Sequence, residues 1–193
     1  MFKRKYEFKP DKERSGTLSK LYITPKQRLT ILKWVLTALV LVILSVIQDV
    51  ILSRVTVFGV HTDLLACAIL LVCVLQDPEV GCVFGLVSSL LYWFSGSAPG
   101  PYVVALLTVL GVLASIFRYS YLRFSFGTVI LCTAAAVMLY ELLLFAIGFF
   151  LGRTTISRLA NFCITGGVSL AVMPLLYPIF AAIGKIGGES WKE

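Results

Sequence analysis

Charged residues are scarce in this sequence. Only 14% of the 193 residues are Asp, Glu, Lys or Arg, whereas 59% are apolar. In soluble domains roughly a quarter of all residues are charged. A chain with so few charged residues does not supply a water-soluble surface. The composition therefore excludes an ordinary soluble domain and predicts an integral membrane protein.

Residues that carry catalytic chemistry are also few. His61 is the single histidine, and the chain contains no G-x-S-x-G, P-loop or G-x-G-x-x-G motif. An isolated histidine near a helix start is typical of a surface residue and does not make a metal site. The sequence thus predicts a protein that is not an enzyme, with no catalytic residue, no metal ligand and no cofactor.

The cysteines do not form a ligand set either. Their number is odd, no C-x-x-C pair occurs, and all five lie in apolar segments: Cys67, Cys73, Cys82, Cys132 and Cys163. This pattern excludes a disulfide framework and a zinc site. We interpret them as small side chains that pack helices together.

The positive charge is concentrated at the start of the chain, where ten of the seventeen cations fall within the first 33 residues. A basic block beside the first apolar span is typical of a cytoplasmic tail facing an anionic lipid leaflet, and it gives no reason to expect nucleic-acid binding. We predict a mobile basic tail over residues 1–30, a transmembrane domain over 31–185 and a short cytoplasmic tail over 186–193. No cleavable signal peptide is expected.

Apolar runs predict an all-α membrane protein with six transmembrane helices in one bundle. Each run approaches the roughly twenty residues that a hydrocarbon core of about 30 Å requires, although the second and third are short. The predicted spans are 31–53, 60–76, 80–94, 102–118, 126–151 and 161–184. The three-residue connection Asp77 to Glu79 makes the second and third spans an antiparallel hairpin.

The distribution of cations predicts the orientation. With six spans and the N-terminal tail inside, fourteen cations lie on the cytoplasmic side, and only Arg54, Arg153 and Arg158 lie outside. This asymmetry follows the positive-inside rule and places both termini in the cytoplasm.

Four polar residues interrupt or border the spans and are candidate structural or partner-binding residues. Glu141 lies near the middle of the fifth span, where we expect a hydrogen-bonded position that faces the bundle interior. Gln48 and Asp49 lie near the outer end of the first span. Asp63 lies near the start of the second span, where a carboxylate caps a helix N-terminus and matches its dipole.

Glycine and proline supply the remaining candidates. Gly81 and Gly85 stand four residues apart inside the third span, a spacing that lets two helices approach closely within one chain or in a homo-oligomer. Pro174 and Pro178, with Tyr177 between them, remove two donors from the sixth span and are expected to bend or loosen it.

These residues form an ordered pattern that resembles the rod shape-determining protein MreD family. The pattern comprises Gln48, Gly59, Asp63, Leu64, Leu65, Gly81, Gly85, Leu86, Gly96, Gly100, Ala105, Gly111, Arg118, Pro174, Tyr177 and Pro178. The chain departs from the family pattern at Thr62, where proline is usual, and at Ser89, where aspartate is usual. The second departure removes a carboxylate from the third span.

The resemblance implies a non-catalytic scaffold of the bacterial cell-wall elongation machinery, located in the cytoplasmic membrane. Its implied partners are membrane lipid, the single-span protein MreC and, through it, the actin-like filament and the peptidoglycan synthases.

The family's fold is similar to that of the substrate-binding subunits of energy-coupling-factor transporters, which supplies an alternative function: capture of a vitamin near the outer face. A cavity near the outer leaflet lined by converging polar side chains would favour this alternative over a scaffold.

Overall fold

The computed structural model of the protein describes residues 25–55, 59–96 and 98–186, and these residues form helices and connecting loops without a β-strand. The predicted tails fall mainly on 1–24 and 187–193, which lie outside the described residues. The helices are α1 (Pro25–Ile47, continued by a π-helical turn, Gln48–Leu52), α2 (Leu64–Leu75), α3 (Pro78–Phe94), α4 (Tyr102–Tyr121), α5 (Phe126–Phe150) and α6 (Leu159–Gly184, preceded by a 3-10 turn, Ile156–Arg158).

Several helices have the length and composition of membrane spans. In the part of the chain that the structure describes, four apolar segments are long enough to cross a bilayer: Arg28–Leu52, Tyr102–Tyr121, Phe126–Phe150 and Ile156–Gly184. Helices α2 and α3 are apolar but shorter, with 12 and 17 residues. At a rise of 1.5 Å per residue, α2 extends about 18 Å, well under the thickness of a hydrocarbon core.

Helix α2 is the centre of the bundle. All twelve of its residues are buried, and it contacts α1, α3, α4, α5 and α6. A helix that is apolar on every side has no face for water and is stable only when it is surrounded. The outer faces of the other helices carry exposed large apolar side chains such as Val83, Leu131 and Leu175, which suits a lipid environment.

The connection between α2 and α3 is a tight hairpin, as its sequence predicts. Pro78 is the first residue of α3, where its missing N–H would have no intrahelical partner, and Glu79 lies in the positive first turn. The short turn forces the two helices to run antiparallel in direct contact.

Helix α6 is continuous through both of its prolines, so they do not interrupt it. Pro174 and Pro178 are exposed on the outer face, whereas Met173 and Leu176 are buried on the inner face. The Tyr177 ring meets the Phe126 ring edge-on at 4.7 Å between centroids. The two prolines therefore lie on the outer surface of the bundle, and Tyr177 belongs to the α5–α6 contact.

Candidate functional site

A cluster of polar side chains surrounds the N-terminus of α2. Asp63 is the N-cap residue, and its carboxylate accepts a hydrogen bond from the backbone N–H of Ala66 at 3.2 Å. The Tyr92 hydroxyl, on α3, donates to the other carboxylate oxygen at 2.7 Å. The backbone N–H of Asp63 donates to the Ser169 hydroxyl, on α6, at 3.0 Å. Asp63 thus joins three helices at one point.

Gln48 completes this cluster from α1. It begins the π-helical turn and is only 7% exposed. Its side-chain oxygen accepts a hydrogen bond from the backbone N–H of Leu65 at 2.6 Å, and its amide nitrogen approaches Asp63 at 3.4 Å. The first N–H groups of a helix have no intrahelical acceptor. Gln48 and Asp63 supply acceptors for two of these N–H groups, those of Leu65 and Ala66.

Polar side chains also close the opposite end of α2. The backbone carbonyl of Gln76 accepts hydrogen bonds from the Ser115 hydroxyl and from Nη2 of Arg118, both at 3.0 Å. The Lys33 ammonium lies 3.4 Å from the side-chain oxygen of Gln76. A carboxylate at the N-terminus and cations at the C-terminus both complement the helix dipole. These groups satisfy polar atoms at both ends of a helix that has only 12 residues.

Three glycines make room for α2 along its side. A Cβ atom placed on Gly81 would lie 3.2 Å from the backbone oxygen of Cys73, and one on Gly85 would lie 3.1 Å from the Cys73 sulfur. A Cβ on Gly111, in α4, would lie 2.9 Å from the same sulfur. Gly81 and Gly85 therefore support packing within one chain, and Cys73 is the residue that fills the space they leave.

A cavity of about 440 Å³ opens beside the N-terminus of α2. It lies between the end of α1, the loop before α2, the end of α3 with the loop that follows it, and the facing parts of α5 and α6. Its lining consists of Gln48, Val60, His61, Thr62, Asp63, Tyr92, Pro99, Glu141, Leu144, Asn161, Phe162 and Thr165. Polar side chains from five separate segments thus converge on one space.

Glu141 contributes to this lining from α5. It is 3% exposed and therefore faces the bundle interior, but it makes no hydrogen bond with any of the described residues. The expected bundle-facing position is present, whereas the expected hydrogen bond is not among the contacts of the described residues. Gly166, on α6, packs against the Glu141 stem, since a Cβ there would lie 3.4 Å from its Cγ. The carboxyl is held at the cavity without a donor from the described part of the chain.

This environment predicts how the fold responds to changes at Glu141. Replacing Glu141 with Leu removes a buried polar group and leaves no donor unsatisfied, so we expect thermal melting in detergent at the wild-type temperature or above. The isosteric Glu141→Gln variant should melt like the wild type. A clear fall in melting temperature for the leucine variant alone would reveal a partner for the carboxyl.

The structure brings together three of the residues singled out by sequence, namely Gln48, Asp63 and Glu141. Asp49 is exposed and does not line the cavity. His61 is exposed, as expected of a surface histidine, but it also lines the cavity. Within the described ranges, no group of three His, Cys, Asp or Glu side chains is placed to hold a metal ion.

Sequence reasoning missed several members of the site. Tyr92 and Ser169 are 29 and 106 residues from Asp63 along the chain, and Asn161 and Thr165 resemble ordinary helix residues. Polar residues spaced four apart at the start of the sixth span, such as 161 and 165, were the available signal, since both lie on one helix face.

The two departures from the family pattern have different positions. Thr62 is buried and lines the cavity. Ser89 is fully buried between α3 and α4, where its hydroxyl donates to the Leu86 carbonyl at 3.0 Å and lies 3.3 Å from the Thr108 hydroxyl. Ser89 is therefore satisfied locally and stands apart from the cavity.

Comparison of the chain with protein-family models, with curated proteins and with solved structures finds no match.

Proposed function

We propose that this protein is a non-catalytic membrane scaffold of the MreD type, acting in the cell-wall elongation machinery. The observation that carries the proposal is the role of the residues behind the resemblance. Gln48 and Asp63 cap the N-terminus of α2. Gly85 and Gly111 allow α3 and α4 to pack closely against α2. Arg118 donates a hydrogen bond to a carbonyl at the C-terminus of α2. The residues of the family pattern thus position and pack one helix, and this structural role agrees with a scaffold.

We further propose that all six helices cross or enter the cytoplasmic membrane of a bacterium, in a bundle similar to the energy-coupling-factor substrate-binding subunits. Helices α2 and α3 are short for this purpose, but the polar caps of α2 allow its ends to lie below the membrane surface. The cation distribution supports cytoplasmic termini and an outward-facing cavity.

The proposed mechanism is specific helix contact. Exposed apolar side chains on the outer faces of the bundle, such as Val83 and Leu113, offer a surface for the single span of an MreC-like protein. Lipid provides little hydrophobic drive between helices, so affinity would come from close packing and a few hydrogen bonds. The bundle would hold MreC beside the peptidoglycan synthases, and a second copy of this chain is the competing occupant of the same faces.

The experiment that tests the scaffold proposal is gentle purification from native membrane followed by native mass spectrometry. Co-purification of an MreC-like single-span protein and wall synthases is expected. Co-purification of paired ATPases and a further membrane subunit, without MreC, would contradict it.

The cavity favours a second candidate, a vitamin-capturing subunit of an energy-coupling-factor-type transporter. Convergence of Gln48, Tyr92, Glu141 and Asn161 on a space of about 440 Å³ is the feature that such a subunit requires and that a purely apolar scaffold interior lacks. A vitamin retained in the same native mass spectra would support this candidate.

The proposed topology makes a separate prediction. In a variant whose five cysteines are replaced, a cysteine at Ser157, in the exposed turn before α6, should react with an impermeant maleimide on intact cells. A cysteine at Ser15, in the tail outside the described residues, should react only after permeabilisation. Ser120→Cys, exposed near the end of α4, is the control and should behave like Ser15. Reaction of Ser15 and Ser157 variants from the same side would overturn the topology.

A further inference from the structure

The carboxyl of Glu141 lies at the wall of a cavity and is an acceptor that lacks a donor. The residue is 3% exposed and accepts no hydrogen bond from the part of the chain that the structure describes. Buried carboxyl groups lose their hydration, and the loss is normally offset by a hydrogen-bond donor or an opposite charge. A ligand that enters the cavity would supply the missing donor.

The charges around the cavity favour a cation. Asp63 and Glu141 both line it, whereas no described lining residue is Lys or Arg. The oxygens of Asp63 already accept from Ala66 and Tyr92, at 3.2 and 2.7 Å. Glu141 is therefore the group left to bind a ligand, and Asp63 adds negative potential that attracts positive charge.

The other residues that line the cavity indicate the chemistry of the rest of the ligand. Val60, Leu144 and Phe162 give apolar walls, and Asn161 and Thr165 add a neutral polar rim. A volume of about 440 Å³ lies within the range of roughly 300 to 1,000 Å³ that small-molecule sites occupy. The walls suit an apolar or aromatic group attached to the cationic head.

We propose that this cavity binds a small organic cation, a primary ammonium or guanidinium on an apolar body, whose positive head donates hydrogen bonds to the Glu141 carboxylate. Charge-assisted hydrogen bonds of this kind are shorter and stronger than neutral ones. The inference does not rest on the scaffold proposal, and it requires none of the ATPases of the transporter alternative. Either of those can fail while the cavity still binds an amine.

The test uses phenethylammonium as the probe and 2-phenylethanol as its neutral counterpart, titrated calorimetrically into the full-length protein in detergent. We expect the ammonium to bind the wild type about tenfold or more tightly than the alcohol, because a hydrogen bond to a charged group contributes about 1.5 kcal/mol or more. Glu141→Gln should remove that preference and leave the affinity for the alcohol unchanged.

The matched control is Glu79→Gln, a change of the same chemistry in the first turn of α3, beside the opposite end of α2. It should retain the full preference for the ammonium. The proposal is overturned if the wild type does not bind the ammonium. The donor for the Glu141 carboxyl would then be a basic side chain of a partner protein. Equal affinities for the two probes also overturn the proposal, and both readouts on the wild type stand even if a variant misfolds.

Discussion

Replacing Asp63 with Ala is expected to destabilise the bundle by about 3 kcal/mol or more, the largest effect of any single polar substitution that the structure suggests. The change removes the acceptor for the Ala66 N–H and the Tyr92 hydroxyl, and the weaker contact of the Gln48 amide. Donors buried without an acceptor cost about 1 to 3 kcal/mol each. Thermal or denaturant unfolding in detergent measures the loss.

Asp77→Ala is the matched control for this prediction. Asp77 is also an N-cap aspartate, at the start of α3, but it is exposed and its side chain makes no capping hydrogen bond. Its replacement should change stability by well under about 1 kcal/mol. Equal effects of the two substitutions would mean that the hydrogen bonds around Asp63 do not hold α2 in place.

Replacing both Gly81 and Gly85 with Leu is expected to separate α3 from α2 and prevent a native bundle. A Cβ alone at these positions would approach Cys73 to 3.2 and 3.1 Å, and one of these contacts is with the backbone oxygen. Leucine adds three further carbon atoms in a region where neighbours are already packed, and overpacking typically costs about 1 to 3 kcal/mol per site. Because the turn between α2 and α3 is short, α3 cannot shift to relieve these contacts without disturbing α2.

The chain offers a control with the same two exchanges at open positions. Gly127 and Gly167 lie in helices where an added Cβ would have no neighbouring atom within 4 Å, and both are exposed. The Gly127→Leu and Gly167→Leu pair should fold, with stability equal to or above that of the wild type, because leucine favours helix more than glycine does. If the Gly81 and Gly85 variant melts like this control in detergent, its substituted face contacts lipid instead of α2.

These two predictions concern one feature, the fixed position of α2. Its caps and its glycine contacts hold the central helix, and the outer helices pack around it in turn. In the proposed scaffold, this rigidity gives the outer faces a constant shape for a partner span. The same caps form part of the cavity wall, so Asp63 connects the stability of the bundle with the geometry of the candidate site.

Much of the architecture follows from the sequence because its causes are local. The long apolar runs predict helices in a membrane, since lipid leaves backbone groups no other partners. Pro78 and the brevity of its turn predict the hairpin, and Asp63 before an apolar run predicts a helix start. The glycine pair in α3 predicts close helix contact, although not which residue fills the gap.

The tertiary structure alone decides which helix is central and which polar groups meet. A membrane helix is apolar both on the face that contacts lipid and on the face that contacts other helices. The spacing of its apolar residues therefore does not reveal which face turns inward. The pairing of Asp63 with Tyr92 and Ser169, and the lack of a donor for Glu141 among the described residues, depend on how each helix is rotated about its axis. That rotation is set by packing between distant segments, and it creates the cavity that the sequence does not disclose.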